Sequence, residues 1–214
     1  IDAAGDQGFN SLEGFSMTTL DDGRVIVTFE SETGDSTNLF KLDYAIVDPR
    51  ETTIDGDGNA NTIVGRLDAS TLNGLGGSDH LIGMKANDKL NGGDGDDFLA
   101  GGIGRDILTG GAGDDMFEFN SVRDAKKGDV IKDFGTGSDI DLIDLEGIDA
   151  RKGGADNAFK FIGKHAFHHK AGELHYVKSH GSAIVEGDVN GDGRADFHIK
   201  VDHVNALSAD DFIL

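Results

Sequence analysis

The chain contains no cysteine and no tryptophan, a single proline, and only 19 basic residues against 40 acidic ones. Each shortage excludes something. Without Cys there are no disulfides and no thiolate metal sites, so any staple must be of another kind. A formal charge of -21 excludes a nucleic-acid partner, because phosphate binding needs clustered Lys and Arg. No apolar run approaches the ~20 residues of a membrane span. The opening residues "IDAAGDQGFN" show neither an initiator Met nor the basic and apolar stretches of a signal peptide, so the chain reads as a piece of a longer protein. Acid and glycine are in excess, with 33 glycines in 214 residues, about twice the usual ~7% share. Such a balance points to cations as partners.

The glycines are not scattered. Seven consecutive nonapeptides begin at Gly56, Gly65, Gly74, Gly83, Gly92, Gly101 and Gly110, with no insertion between them. The eighth position is always apolar: Ile63, Leu72, Leu81, Leu90, Leu99, Leu108 and Phe117. The sixth is Asn61, Ser70, Asp79, Asp88, Asp97, Asp106 and Asp115, a side-chain oxygen every time. Recurrent Gly marks a tight turn in each unit, and the lone apolar residue marks a very short strand pointing one side chain inward. Nine residues cannot bury that side chain alone, so the units must stack. If two nonapeptides complete one coil, residues 18 apart lie above one another. Asp79 then stacks on Asp97 and Asp97 on Asp115 along one edge, while Asp88 stacks on Asp106 along the other. A disordered acidic linker has no use for such phase.

Stacked carboxylates repel unless a cation lies between them. Calcium, which takes six to eight oxygens, suits the expected ligands: the side chains of Asn61, Asp79, Asp88, Asp97, Asp106 and Asp115, with loop oxygens around Gly74, Gly76, Gly92, Asp94, Gly101 and Gly110. One buried side chain per nine residues is too little to offset the backbone entropy of the remainder, so the repeat is expected to be unfolded without the ion.

"GGDGDDFLA", "GGIGRDILT" and "GGAGDDMFE" resemble the RTX repeat, G-G-x-G-x-D-x-U-x. Earlier copies depart from it: "GLGGSDHLI" lacks the second Gly, "GMKANDKLN" the second and fourth, and "GRLDASTLN" has Ser70 in place of the ligand Asp. The Ser70 and Asp88 pairing is therefore the doubtful site. Further on, "VIKDF", "LIDLEGIDA", "AFKFIG", "AGELHY" and "GDVNGDGRADFHI" resemble the C-terminal domain of serralysin metalloproteases. The resemblance implies an all-β fold, a calcium-stabilised parallel β-roll with flanking β-strand capping regions. It also implies export through a type I secretion apparatus, directed by an uncleaved C-terminal signal, and "ADDFIL" resembles that signal's ending. An ordinary final strand is the alternative for those residues.

Three regions are expected: a strand-rich cap at 1–53, the roll at 54–118 and a serralysin-type β region at 119–214. In the first, "FSMTTL", "RVIVTF" and "LFKLDYAIV" read as strands, broken by Asp48-Pro49. This stretch resembles the last of the strand repeats that precede calcium repeats in some large secreted bacterial proteins. In the third, "DVIKDFGTGSDIDLIDLEGIDA" suggests half-buried strands with an acidic outer face. "DVNGDGRAD" places Asp188, Asn190, Asp192 and Asp196 as in the first part of an EF-hand loop, but Ile199 stands where the bidentate Glu belongs. A calcium turn and a plain Asp/Gly hairpin turn both remain open. Seven of eight His residues fall between His165 and His203. His165 and His169 could meet on a helix, yet no H-E-x-x-H exists, and an exposed, scattered set is expected rather than a zinc site.

The leading functional expectation is a calcium-binding module of a secreted protein that folds outside the cell, any catalysis residing in a missing N-terminal portion. The alternative is a calcium-dependent polysaccharide- or surface-binding module. That reading needs an exposed aromatic or basic strip, for which the sequence offers only Tyr44, Tyr176 and scattered Lys.

Overall fold

The computed structural model describes residues 52–136, 139–151 and 157–214, together with the backbone of two earlier strands. The chain divides into two units, Ile1–Glu51 and Thr52–Leu214. In the first, β1 (Gly14–Thr19) and β2 (Val25–Glu30) form an antiparallel pair that matches Gly14 with Glu30 and Thr19 with Val25. The run "LFKLDYAIV", Tyr44 within it, and the Asp48-Pro49 break lie outside the described residues.

The second unit is a parallel roll that opens into an antiparallel sheet. Its first strands are β3 (Thr53–Asp55), β4 (Thr62–Val64), β5 (Thr71–Gly76), β6 (His80–Ile82) and β7 (Lys89–Asp94), followed by β8 (Phe98–Ala100), β9 (Ile107–Ala112) and β10 (Met116–Glu118). Odd strands stack in one sheet and even strands in another. Thr71 pairs with Lys89 and Lys89 with Ile107; His80 pairs with Phe98 and Phe98 with Met116. The register of 18 expected from the repeat is the observed one. Side chains alternate across a strand, so each eighth-position residue points between the sheets, and the row from Ile63 to Phe117 is buried throughout.

Both sheets continue past the last repeat. After a short helix, α1 (Val122–Ala125), strand β11 (Asp129–Ile131) adds to β9, and β12 (Leu142–Asp144) adds to β10. Ile131 and Ile143 take the inward places above Leu108 and Phe117. The odd sheet then acquires β16 (Phe197–Val201), β15 (Ser182–Asp188), β14 (Glu173–Ser179) and β13 (Lys160–Phe161), for nine strands in the order β13-β14-β15-β16-β11-β9-β7-β5-β3. The even sheet ends on β17 (Phe212–Ile213), which lies parallel to β12. "ADDFIL" is thus a turn of 3-10 helix and a strand, with Phe212 buried and its ring 5.1 Å from that of Phe161.

Two expectations need correction. The acidic residues Asp129 and Asp141 are buried rather than arrayed on an outer face, because the strands there are only three residues long and each acid sits at the loop edge. "HAFHH" is not helical; His169 adopts φ 59, and the segment runs as a loop against β14.

Candidate metal centre

The sixth-position side chains form two ladders, one along each edge of the roll. Every rung is built alike: one carboxylate oxygen, Oδ1, accepts the backbone N–H of the sixth-position residue one coil earlier. Asn61, Asp79 and Asp97 donate to Asp79, Asp97 and Asp115 at 2.7, 2.7 and 2.9 Å. On the other edge Ser70 and Asp88 donate to Asp88 and Asp106 at 2.6 and 2.8 Å. The ladders do not stop with the repeat. Asp106 donates to Asp129 at 2.7 Å and Asp115 to Asp141 at 3.0 Å. Asp129 and Asp141 were absent from the expected ligands, yet each opens a D-x-U tripeptide, "DVI" and "DLI", which repeats the sixth-to-eighth spacing.

The second oxygen is the unusual one. Oδ2 of Asp79, Asp88, Asp97, Asp106 and Asp129 is buried with no hydrogen-bond partner. A buried polar atom left unpaired costs about 1–3 kcal/mol, and more when it is charged. Each of these oxygens within the repeat faces the first-position Gly of its own unit. A methyl group built on Gly92 would strike Oδ2 of Asp97 and the carbonyl oxygen of Gly110; one on Gly74 would strike Oδ2 of Asp79 and the carbonyl of Gly92. The space a Cβ would fill is therefore a niche walled by one carboxylate oxygen and one carbonyl oxygen from the next coil. Gly83 stands against Asp88 and the Gly101 carbonyl in the same way, and Gly101 and Gly110 stand against the carboxylates of Asp106 and Asp115.

Hard oxygens around a bare glycine suit calcium, and the donor set fits that ion. Among the described residues no three His, Cys, Asp or Glu side chains converge as a conventional metal cluster. Carbonyl oxygens stand beside the carboxylates at Gly74, Gly83 and Gly92. Burial pushes the carboxyls of Asp88 and Asp97 up to about 6, Asp106 and Asp115 to about 7, and Asp129 to about 8. The accepted backbone N–H opposes each shift, and neighbouring carboxylates reinforce it for Asp97, Asp106, Asp115 and Asp129. Asp79 and Asp141 are raised for the same first reason.

The remaining candidates are arranged differently. Asn61 accepts the N–H of Asp57 in its own loop at 2.8 Å, and the Ser70 hydroxyl accepts from Arg66 N and donates to the Asp68 carbonyl, both at 3.0 Å. Gly76 and Asp94 close strands β5 and β7, where they pair with each other across the sheet, and Asp94 is exposed. In the turn between β15 and β16, Asp188 is buried and accepts N–H groups from Asn190, Gly191 and Gly193. Asn190 also donates to Asp196 at 2.8 Å, so Asp188, Asn190 and Asp196 meet, while Asp192 stays exposed. The His set is not wholly exposed: His175 is buried, with Nδ1 on the His165 carbonyl and Nε2 on Glu186, and His168 pairs with Glu173.

A calcium-suited carboxylate ladder on a two-sheet parallel coil defines the class of RTX β-rolls. The chain belongs to the peptidase M10 serralysin C-terminal family, whose model matches residues 50–214. That family implies calcium binding by the repeats, and its C-terminal module is non-catalytic. Among solved structures, the R3 subunit of the AlgE6 mannuronan C5-epimerase of Azotobacter vinelandii is 26% identical, with 78% of this chain and 86% of that one covered and a TM-score of 0.35. The R2 subunit of the same enzyme is 25% identical, covering 77% and 92%, with a TM-score of 0.37. The curated proteins returned no match. Among the described residues no helix is long and apolar enough to cross a membrane.

Proposed function

We propose that the chain is the calcium-responsive C-terminal module of a larger exported bacterial protein, kept unfolded where calcium is scarce and folded by the ion outside the cell. The observation that carries the reading is the set of five buried, partnerless Oδ2 atoms along the two ladders. Asp79, Asp88, Asp97, Asp106 and Asp115, extended by Asp129 and Asp141, would hold the ions with the carbonyls of the first-position glycines. Calcium supplies positive charge between the coils; the chain's own part is to present oxygens at fixed height and exclude water from one side. Asn61 would close the first rung through its amide oxygen. For the turn at 188–196 the support differs, since loop N–H groups already take both oxygens of Asp188 and the turn closes without a metal.

Export through a type I apparatus is supported by family membership and by the "ADDFIL" ending. Its Phe212 and Ile213 are part of the even sheet once the chain is folded, so the channel would read them from the unfolded chain. Extracellular calcium modules bind at ~10⁻⁴–10⁻³ M, and an ion at 100 times its dissociation constant stabilises by about 2.7 kcal/mol per site. Several coupled sites would make the response steep. Circular dichroism during a calcium titration tests the reading: β-structure should grow with calcium, and an identical spectrum in chelator would overturn it.

A further inference from the structure

We propose that Asn73 and Asn91 are self-modification sites that calcium protects, so that a chain left unwound converts them to aspartate and isoaspartate and loses its capacity to fold. The inference rests on the calcium-driven folding proposed above. Of the residues that directly precede the first-position glycines, only Asn73 and Asn91 are amides. Each stands next to a glycine that the roll cannot replace: a methyl group on Gly74 would strike Asp79 Oδ2, and one on Gly92 would strike Asp97 Oδ2. The bareness that makes the niche also leaves the Gly nitrogen unhindered in the flexible chain. In the unwound chain that nitrogen attacks Cγ of the preceding Asn. The N–Cγ bond forms, the Cγ–Nδ2 bond breaks, and the amide nitrogen leaves as ammonia with the backbone proton. Water then opens the cyclic imide, at Cγ to give aspartate or at the main-chain carbonyl to give isoaspartate.

Winding blocks the reaction. Ring closure needs the chain to rotate until the Gly nitrogen faces the side-chain carbonyl, and an extended strand keeps the two apart. Asn73 lies within β5 and Asn91 within β7, and both are paired on two sides: Asp55 and Asn91 flank Asn73, while Asn73 and Thr109 flank Asn91. Rotation would tear two ladders at once. Asn73 is also pinned by its own amide, Nδ2 donating to Asp55 Oδ1 at 2.6 Å. The products do not fit the same place. Isoaspartate carries the main chain through the side-chain carbonyl and adds one methylene to the backbone, which moves Gly92 out of line with Asp97. Aspartate at position 73 would set a carboxylate against Asp55 where an amide now donates. The row itself accepts other residues, because Thr109 occupies the same outward place one coil after Asn91. A third Asn-Gly pair, Asn190-Gly191, lies in a turn where the Gly191 N–H donates to Asp188 Oδ1 at 2.6 Å.

The test incubates the full chain in warm, mildly alkaline buffer with calcium or with chelator and follows each site by peptide-mapping mass spectrometry. In chelator, Asn73 and Asn91 are expected to become aspartate and isoaspartate. In calcium the conversion should slow about a hundredfold, the factor by which calcium at about 100 times its dissociation constant depletes the unwound chain through one site. Calcium added after the chelator incubation should restore less β-structure, by circular dichroism, as conversion proceeds. A chain carrying both Asn73→Thr and Asn91→Thr, read against its own unincubated sample, should keep more of it. Equal conversion in calcium and chelator, modified chains that fold as fully as unmodified ones, or a double variant that loses as much as the original chain would each overturn the proposal. Circular dichroism before incubation separates the two readings. A chain already folded in chelator sinks the calcium reading and this one with it, whereas a chain unfolded in chelator that keeps both amides sinks this proposal alone.

Discussion

At the scale of residues, the imperfect repeats carry a cost that the perfect ones avoid. Gly93 and Gly95 hold φ 117 and 129, and in the units that begin at Gly74 and Gly83 three side-chain-bearing residues at the second or fourth position are held at positive φ as well: Leu75 at 76, Met84 at 79 and Ala86 at 78. A side chain there costs roughly 1–2 kcal/mol, partly offset because Gly gives the unfolded chain more freedom. Leu75 and Met84 are exposed, so their removal empties no core. Leu75→Gly and Ala86→Gly should each stabilise the calcium-loaded fold by about 0.5–1 kcal/mol, read as a higher urea midpoint. Gly92→Ala should do the reverse and abolish folding of its coil, since its methyl would occupy the niche beside Asp97. The extension to Asp129 and Asp141 also changes which rung matters. Asp106 and Asp115 are as interior as Asp97, so Asp97→Ala and Asp106→Ala should both raise the calcium midpoint more than Asn61→Ala. Equal effects of all three would show that rung position is irrelevant.

At the scale of elements, legibility followed the distance over which order is set. The inward row from Ile63 to Phe117 and the register of 18 could be read directly, because the repeat writes them every nine residues. Asp129 and Asp141 could not, since the ladder spacing jumps from 18 to 23 and 26 where intervening segments, one containing α1, enter. The role of "ADDFIL" as an edge strand is a second long-range fact, set by β12 some seventy residues earlier. It makes β17 a point of attack. Phe212→Ala should cost about 3 kcal/mol, seen as a lower melting temperature in calcium, because the Phe161 ring loses its neighbour and the sheet edge loosens.

At the scale of the whole molecule, acid and calcium should substitute for one another. The raised carboxyls bind protons more readily in the folded than in the unfolded chain, so the metal-free fold gains stability as pH falls and loses it as pH rises through about 4 to 8. Calcium-free samples should therefore show more β-structure near pH 5 than at pH 8 by circular dichroism. Loss of β-structure on mild acidification would contradict the burial of these groups.

The ladders also have a direction. In every rung the accepting carboxylate comes from the coil that follows in sequence, and the last acceptors, Asp129 and Asp141, stand outside the repeat. The sixth-position N–H of each coil is therefore met only by its successor. Winding must then start from an anchored far end and travel backwards along the chain, as a rope is coiled from its fixed point. Shortening from the N-terminal side would leave a shorter coil that still winds, whereas cutting away 119–214 would remove the anchor and leave seven intact repeats with nothing to start from.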